Sequence, residues 1–429
     1  MNRLWIVAVF CTSALAQQVT REHPCPDGRR MEGDYERDYA CVPNSETAKA
    51  TVNPLKTTAP TVNKLQSATW ESDFGFEDEL YPSFILTMGG RAIKNPDPVH
   101  FFGDPLGHAR VTIHPTIPSA KVHVEIQVEG FTSVSSLDTV LGDAGQTYVV
   151  APVLRWNYSR LQSVDQSIPA TVTFKVSVNG LVGQETRPVR VRSVNDVPFY
   201  AITPDGKQTD LSFLFAGFVN ESHPFVQTLL QEALQYKAVD SFVGYQSGSD
   251  AVRMQVFALW NVLQRRGVHY SSITTASAAS TTGHVQSQAV RFIDQSIATQ
   301  QANCVDGSVL FASLMYKIGI MPVLVVKPGH MFVGYYLDKD RKQFEFLETT
   351  KLGSGPQPGL LKDVAFSPIL HPVAGSASFR EFIDAVNFAT NVYSKEVAPA
   401  VEAHKPHYLV IDVAKAREVG INAIPHKAN

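Results

Sequence analysis

The stretch Gln300–Ile320, QQANCVDGSVLFASLMYKIGI, decides the reading of this chain. Polar residues give way at Cys304 to an apolar run. Leu310, Leu314 and Ile318 fall on one helical face, with Phe311 and Met315 beside them. Gly319 is a natural helix stop. The spacing predicts a helix over 305–318 with Cys304 at its mouth. Unpaired N–H groups and the helix dipole favour a thiolate there. Asp306 and Ser308 fall in the first turn, where capping and dipole balance account for them without a catalytic role.

Downstream lies KPGHMFVGYYLDKDRKQFEFLETT, residues 327–350. Two apolar segments flank the polar tip Asp338–Lys342, which predicts a β-hairpin. A turn centred on Lys339 sets His330 opposite Glu348, on the same face and roughly 5 Å apart at Cβ. A one-residue slip would pair His330 with Thr349 instead. A carboxylate beside an imidazole fixes its tautomer and stabilises the imidazolium. Thiol, imidazole and carboxylate therefore follow in the order Cys304, His330, Glu348. That set lets a thiolate attack an amide carbonyl while the histidine holds the proton and returns it to the leaving amine. His269 and His284 are rival bases.

The four cysteines fit export. Residues 1–16 combine Arg3, an apolar run from Leu4 and the small ending Ala14-Leu15-Ala16, the pattern of a cleaved signal peptide. Cys25 and Cys41 bracket a short polar loop and are expected to form a disulfide. Cys304 is then the odd cysteine, a candidate reactive thiol or else a buried structural one. The net charge of −3 carries no long basic run, which argues against a nucleic-acid partner. No mature segment is apolar enough to span a membrane.

The remaining organisation follows from composition and periodicity. Residues 17–72 hold the cysteine loop and a Thr/Pro/Ala-rich linker, and 73–107 have no clear assignment. Residues 108–204 alternate apolar and polar positions in short β-branched runs, which predicts an antiparallel β-sandwich of the immunoglobulin-like class with Trp156 in its core. SVNDVP, residues 193–198, resembles the closing strand of cadherin-like repeats, but the other calcium ligands of those repeats are absent. His100, His108, His114 and His123 lack metal-ligand spacing, and no cofactor or metal is expected. Residues 205–429 switch to helical periodicity. Expected helices start at Pro224, at an Asp250 cap, near 286–298, and after a Ser378/Glu381 capping box. A closing strand leads to an Asp412-capped helix. Asn157 and Asn220 begin glycosylation sequons of chance-level frequency.

Residues 212–350 resemble the transglutaminase-like superfamily, a papain-related α+β fold. ANCVDGS matches the family's nucleophile context, VLVVKPGHMFV its histidine strand, and FLETT the segment that ends in its acid. The resemblance implies catalytic Cys304, His330 and Glu348, and makes Tyr270 in VHYSS an oxyanion-hole candidate whose other role is packing. Two departures stand out: Glu348 where the family usually has Asp, and Ala302 where it has Gly. The expectation is an α+β chain with an immunoglobulin-like sandwich followed by a papain/transglutaminase-like domain. Its substrate would be a protein, peptide or peptidoglycan peptide, met in the periplasm or outside the cell. The rival is a non-catalytic scaffold built on the same fold.

Overall fold

The computed structural model describes residues 29–32, 40–43, 61–89, 91, 93–95, 97–202, 208–272, 284–355, 373 and 375–426. β1 (Arg29–Glu32) and β2 (Ala40–Pro43) pair antiparallel within a first unit, Met1–Ala59. The expected signal peptide and Cys25 lie outside the described residues, and the Cys25–Cys41 bridge with them. Everything below concerns the second unit, Pro60–Asn429.

Alternating apolar residues build its first half. The strands are β3 (Asn63–Leu65), β4 (Ala68–Phe74), β5 (Glu79–Leu80), β6 (Phe101–Gly103), β7 (Ala109–Pro115), β8 (Lys121–Val128), β9 (Ser135–Val140), β10 (Tyr148–Ala151), β11 (Ile168–Val178) and β12 (Leu181–Val191). They form two five-stranded sheets, ordered β3-β4-β7-β10-β6 and β5-β12-β11-β8-β9. Val111 and Ile113 in one sheet, and Val124, Ile126, Phe174 and Val176 in the other, are fully buried in one shared core. Helices α1 (Pro82–Met88) and α2 (Tyr158–Gln162) interrupt the strands.

The linker reading extends too far. Residues 63–72 lie in β3 and β4, and Trp70 is fully buried. A Cβ on Gly183 of β12 would stand 3.1 Å from the Trp70 indole nitrogen, so glycine lets the facing strand close over the ring. Residues 73–107 supply β5, α1 and β6. Trp156 is half-buried against the core rather than at its centre.

The second half is mixed α and β. β13 (Asp196–Ile202) pairs with β14 (Gln208–Asp210) and with β16 (Val285–Ala289). The chain also forms α3 (Pro224–Gln235), α4 (Gly248–Arg265), β15 (His269–Tyr270), α5 (Ile293–Thr299), β17 (Gln301–Ala302) and α6 (Cys304–Lys317). β18 (Pro322–Lys327), β19 (His330–Tyr336) and β20 (Phe344–Leu347) follow, then α7 (Ala377–Val392), α8 (Ala398–Glu402), β21 (Leu409–Asp412) and α9 (Val413–Glu418). A four-stranded antiparallel sheet runs β20-β19-β18-β21. α6 packs on this sheet, and its Leu310, Phe311 and Leu314 are buried. No helix among the described residues is long and apolar enough to cross a membrane.

Several local expectations change. The segment expected to be helical near 286–298 is strand β16 and then the shorter α5, because β13 recruits it as a partner. Asp196 therefore belongs with this half rather than closing the first. Asn195 donates to the Val290 carbonyl (2.6 Å) and Gln295 (2.8 Å), and Asp196 accepts from Arg192 (3.1 Å). Those bonds tie the two halves together. Ser247, not Asp250, is the N-cap of α4, and Asp250 pairs with Arg253 at 2.6 Å. Ser376, not Ser378, caps α7, accepting from the Phe379 N–H at 3.1 Å.

Candidate active site

Cys304 occupies the first helical position of α6. The preceding Asn303 is the N-cap: its side-chain oxygen accepts from Val305 N (2.8 Å) and Asp306 N (2.9 Å). Asp306 closes the box by accepting from Asn303 N at 3.1 Å. The pattern Asn303-x-x-Asp306 was visible in the sequence as a helix start. Its tertiary partner was not. Arg291 donates to Asp306 through its backbone N–H and its guanidinium, both at 2.8 Å. Asp306 is fully buried, and desolvation raises its pKa against the pull of these bonds. It is thus an anchor that fixes the turn carrying Cys304. Ser308 donates to the Cys304 carbonyl at 2.6 Å, which tightens the same turn.

His330 opens β19, and Glu348 directly follows β20. The observed register pairs Val333 with Leu347 and Tyr336 with Phe344. The hairpin is therefore centred on Asp340, one residue later than expected, and His330 is offset diagonally from Glu348. A shift of two pairing positions keeps both side chains on one face. The diagonal span is within reach of a long side chain. Glu, one methylene longer than Asp, bridges it: His330 Nε2 lies 2.8 Å from Glu348 Oε2. The other carboxylate oxygen accepts from the Thr350 N–H (3.2 Å) and hydroxyl (2.7 Å). Glu348 is 1% exposed, so its charge is held by these three donors rather than by water.

With Nε2 committed to Glu348, the remaining ring nitrogen is left for Cys304, whose interaction with His330 helps raise the ring's pKa. Burial works against a charged ring here. The hydrogen bonds to Cys304 and Glu348, and their negative charges, outweigh it and push the His330 pKa up to about 10. The raised pKa favours the protonated ring at neutral pH. Cys304 is a free thiol and is half-buried.

Tyr270 sits in β15, which runs parallel to β17 in a register that sets Tyr270 beside Ala302. Ser271 N donates to the Ala302 carbonyl at 3.1 Å. The half-buried tyrosine is thus delivered next to the turn that holds Cys304. The rival bases are engaged elsewhere. His269 Nδ1 bonds the Gly267 carbonyl at 2.9 Å, and His284 Nδ1 bonds Glu77 at 2.6 Å. The segment behind Glu348 is pinned by buried Glu381, which accepts from Gly353 N (2.8 Å), Gly355 N (2.7 Å) and Gln264 (2.9 Å). The helical pattern had suggested only a cap for that residue.

The histidines of the first half do not converge. His108 is half-buried, and desolvation lowers its pKa to about 4, while His123 bridges Asp138 (2.8 Å) and Glu125 (3.1 Å) at the surface. A different trio was missed in the sequence. His223, Asp294 and His426 offer ligand-type atoms within 4.8 Å of one another. However, His223 Nδ1 accepts from Phe225 N at 3.2 Å, so its neutral ring carries the proton on Nε2, 3.3 Å from Asp294. A metal on Nε2 would force a proton onto Nδ1 against that N–H. The trio reads as a pin for the C-terminal segment. Asn220, buried, donates to the Ile424 carbonyl at 3.0 Å in the same region, which leaves its sequon inaccessible.

No protein-family model matches the sequence, and no curated protein matches it.

Proposed function

We propose that the chain is an exported, cysteine-dependent enzyme of transglutaminase-like type, with a papain-related catalytic region behind an immunoglobulin-like sandwich. It cleaves or exchanges amide bonds in a protein, peptide or peptidoglycan-peptide substrate. One observation carries the reading: His330 bonds buried Glu348 at 2.8 Å and interacts electrostatically with Cys304 at the start of the neighbouring helix. The export part rests on the N-terminal pattern and on the expected Cys25–Cys41 bridge.

Cys304 attacks the amide carbonyl as the thiolate, and its proton resides on His330. A C–S bond forms as the carbonyl π pair moves to oxygen, and Tyr270 is the candidate donor to that oxyanion. Collapse expels the amine, which takes the proton from His330. The resulting thioester is resolved by water or by a second amine, and His330 removes the proton of whichever attacks. Glu348 holds the ring in place and balances its positive charge throughout.

The test has two stages. Iodoacetamide should alkylate Cys304 at pH 7 faster than it alkylates a free cysteine. Ammonia release from glutamine peptides, hydrolysis of peptidoglycan-type peptides, and incorporation of a labelled primary amine should then identify the acyl donor and acceptor. Alkylation no faster than free thiol would leave the scaffold reading in its place.

A further inference from the structure

We infer that Gly307 is a positioning residue, placed so that the helix carrying Cys304 can lie directly against the turn carrying Glu348. This rests on the catalytic reading above and extends it to a residue without a functional group. Gly307 is in the first turn of α6, and Thr349 is next in the chain to Glu348. A Cβ at position 307 would stand 2.6 Å from Thr349 Oγ1 and 2.9 Å from Thr349 Cβ. Real Cβ contacts are not that short. The 2.9 Å contact is with the root of the side chain, so rotating the threonine cannot relieve it. Either the helix or the Glu348 turn must move.

The sign of the effect separates this role from ordinary helix chemistry. On propensity alone, Gly→Ala inside a helix stabilises by about 1 kcal/mol. Here alanine would instead wedge the first turn of α6 away from Thr349. The Thr349 hydroxyl is buried without a hydrogen-bond partner among the described residues, so removing it breaks no bond. The three atoms nearest the added Cβ all belong to the Thr349 side chain, the farthest at 3.8 Å. Thr349→Gly removes all three.

The experiment compares wild type, Gly307→Ala, Gly307→Ala/Thr349→Gly and a control, Val309→Ala. Val309 is buried on the same helix, so the control loosens packing without touching the turn. Iodoacetamide reactivity of Cys304 is measured per folded molecule across pH, and the His330 ring is titrated by NMR. Gly307→Ala should slow alkylation at pH 7 by roughly ten- to a hundredfold, the scale of an ångström-level misplacement. It should also move the His330 titration down toward that of a free histidine. The double variant should recover both, and Val309→Ala should change neither. If Gly307→Ala does not fold, recovery of a folded protein by Thr349→Gly supports the inference, and its failure overturns it. Wild-type behaviour in Gly307→Ala, or no recovery in the double variant, also overturns it. A wild-type thiol no faster than free cysteine would sink the catalytic reading instead. The His330 titrations would then still decide whether Gly307 positions the pair.

Discussion

Two buried charge clusters in this protein are built from similar parts and differ in the cation each one holds. At the junction of the two halves, Arg192 is fully buried, 3.1 Å from Asp196 and 3.5 Å from Glu79, with Tyr81 donating to Glu79 at 3.0 Å. At the candidate active site, His330 lies between Cys304 and Glu348. Both bury a carboxylate and give it a cation. In the first, the cation is a guanidinium that stays charged at every accessible pH. In the second, it is a ring that can give up its proton beside a nucleophile. Burial of charge therefore does not mark the site. A titratable partner beside a half-buried thiol is what distinguishes the candidate site.

Experiments that separate the two clusters test this contrast. Cys304→Ala should abolish alkylation and amide chemistry while leaving the thermal transition close to wild type. Residual turnover above background would move the nucleophile elsewhere. Glu348→Gln should lower turnover by roughly 10²–10⁴ with the fold retained, because the ring loses both its orientation and its counter-charge. A near-normal rate would reduce Glu348 to a structural role.

Arg192→Ala should behave in the opposite way. Removing the buried guanidinium that faces Glu79 and Asp196 should cost about 3–5 kcal/mol of stability in denaturant unfolding. The alkylation rate of the molecules that remain folded should not change. A selective loss of Cys304 reactivity would show that the junction and the site are coupled. Tyr270→Phe should slow turnover by about 10²–10³ if the phenol holds the oxyanion. Unchanged kcat in that variant would assign the ring to packing.

The last contrast is the pH dependence of stability. His330 holds its proton up to about pH 10 in the folded protein, against about 6.5 in the unfolded chain. Between those values the native state binds the extra proton, so stability falls as pH rises. The contribution is full below pH 6.5 and lost on passing about 10. The melting-temperature gap between wild type and His330→Asn should narrow over that window, while the gap to Arg192→Ala should not follow it. A constant His330→Asn gap would mean that the ring is not held as an imidazolium.

Much of this was written in local sequence. The alternation in residues 109–115, 121–128 and 168–178 became β7, β8 and β11, because the side-chain period of a strand is a local property. The apolar stripe before Gly319 became α6, and Gly319 adopts the left-handed conformation (φ +79°) that ends a helix. The three residues of the site were legible because each sits at an element boundary with a local signal: a helix start, a strand start and a strand end.

What escaped local reading depends on partners far away in the chain. Residues 68–72 look like linker until Trp70 meets Gly183 of the facing sheet. Residues 285–289 have a helical neighbourhood, yet β13 draws them into a sheet. Glu381 resembles a cap, but three donors from elsewhere converge on it. The hairpin register moved by two, which alternation cannot detect because the same faces remain inward. Sequence alone determined many of the elements and set the candidate Cys304, His330 and Glu348 at element ends, since periodicity and end signals are encoded over a few residues. Tertiary structure decided which carboxylate became an anchor, which a latch and which the partner of a histidine. That choice depends on which distant donors surround each one when water is excluded.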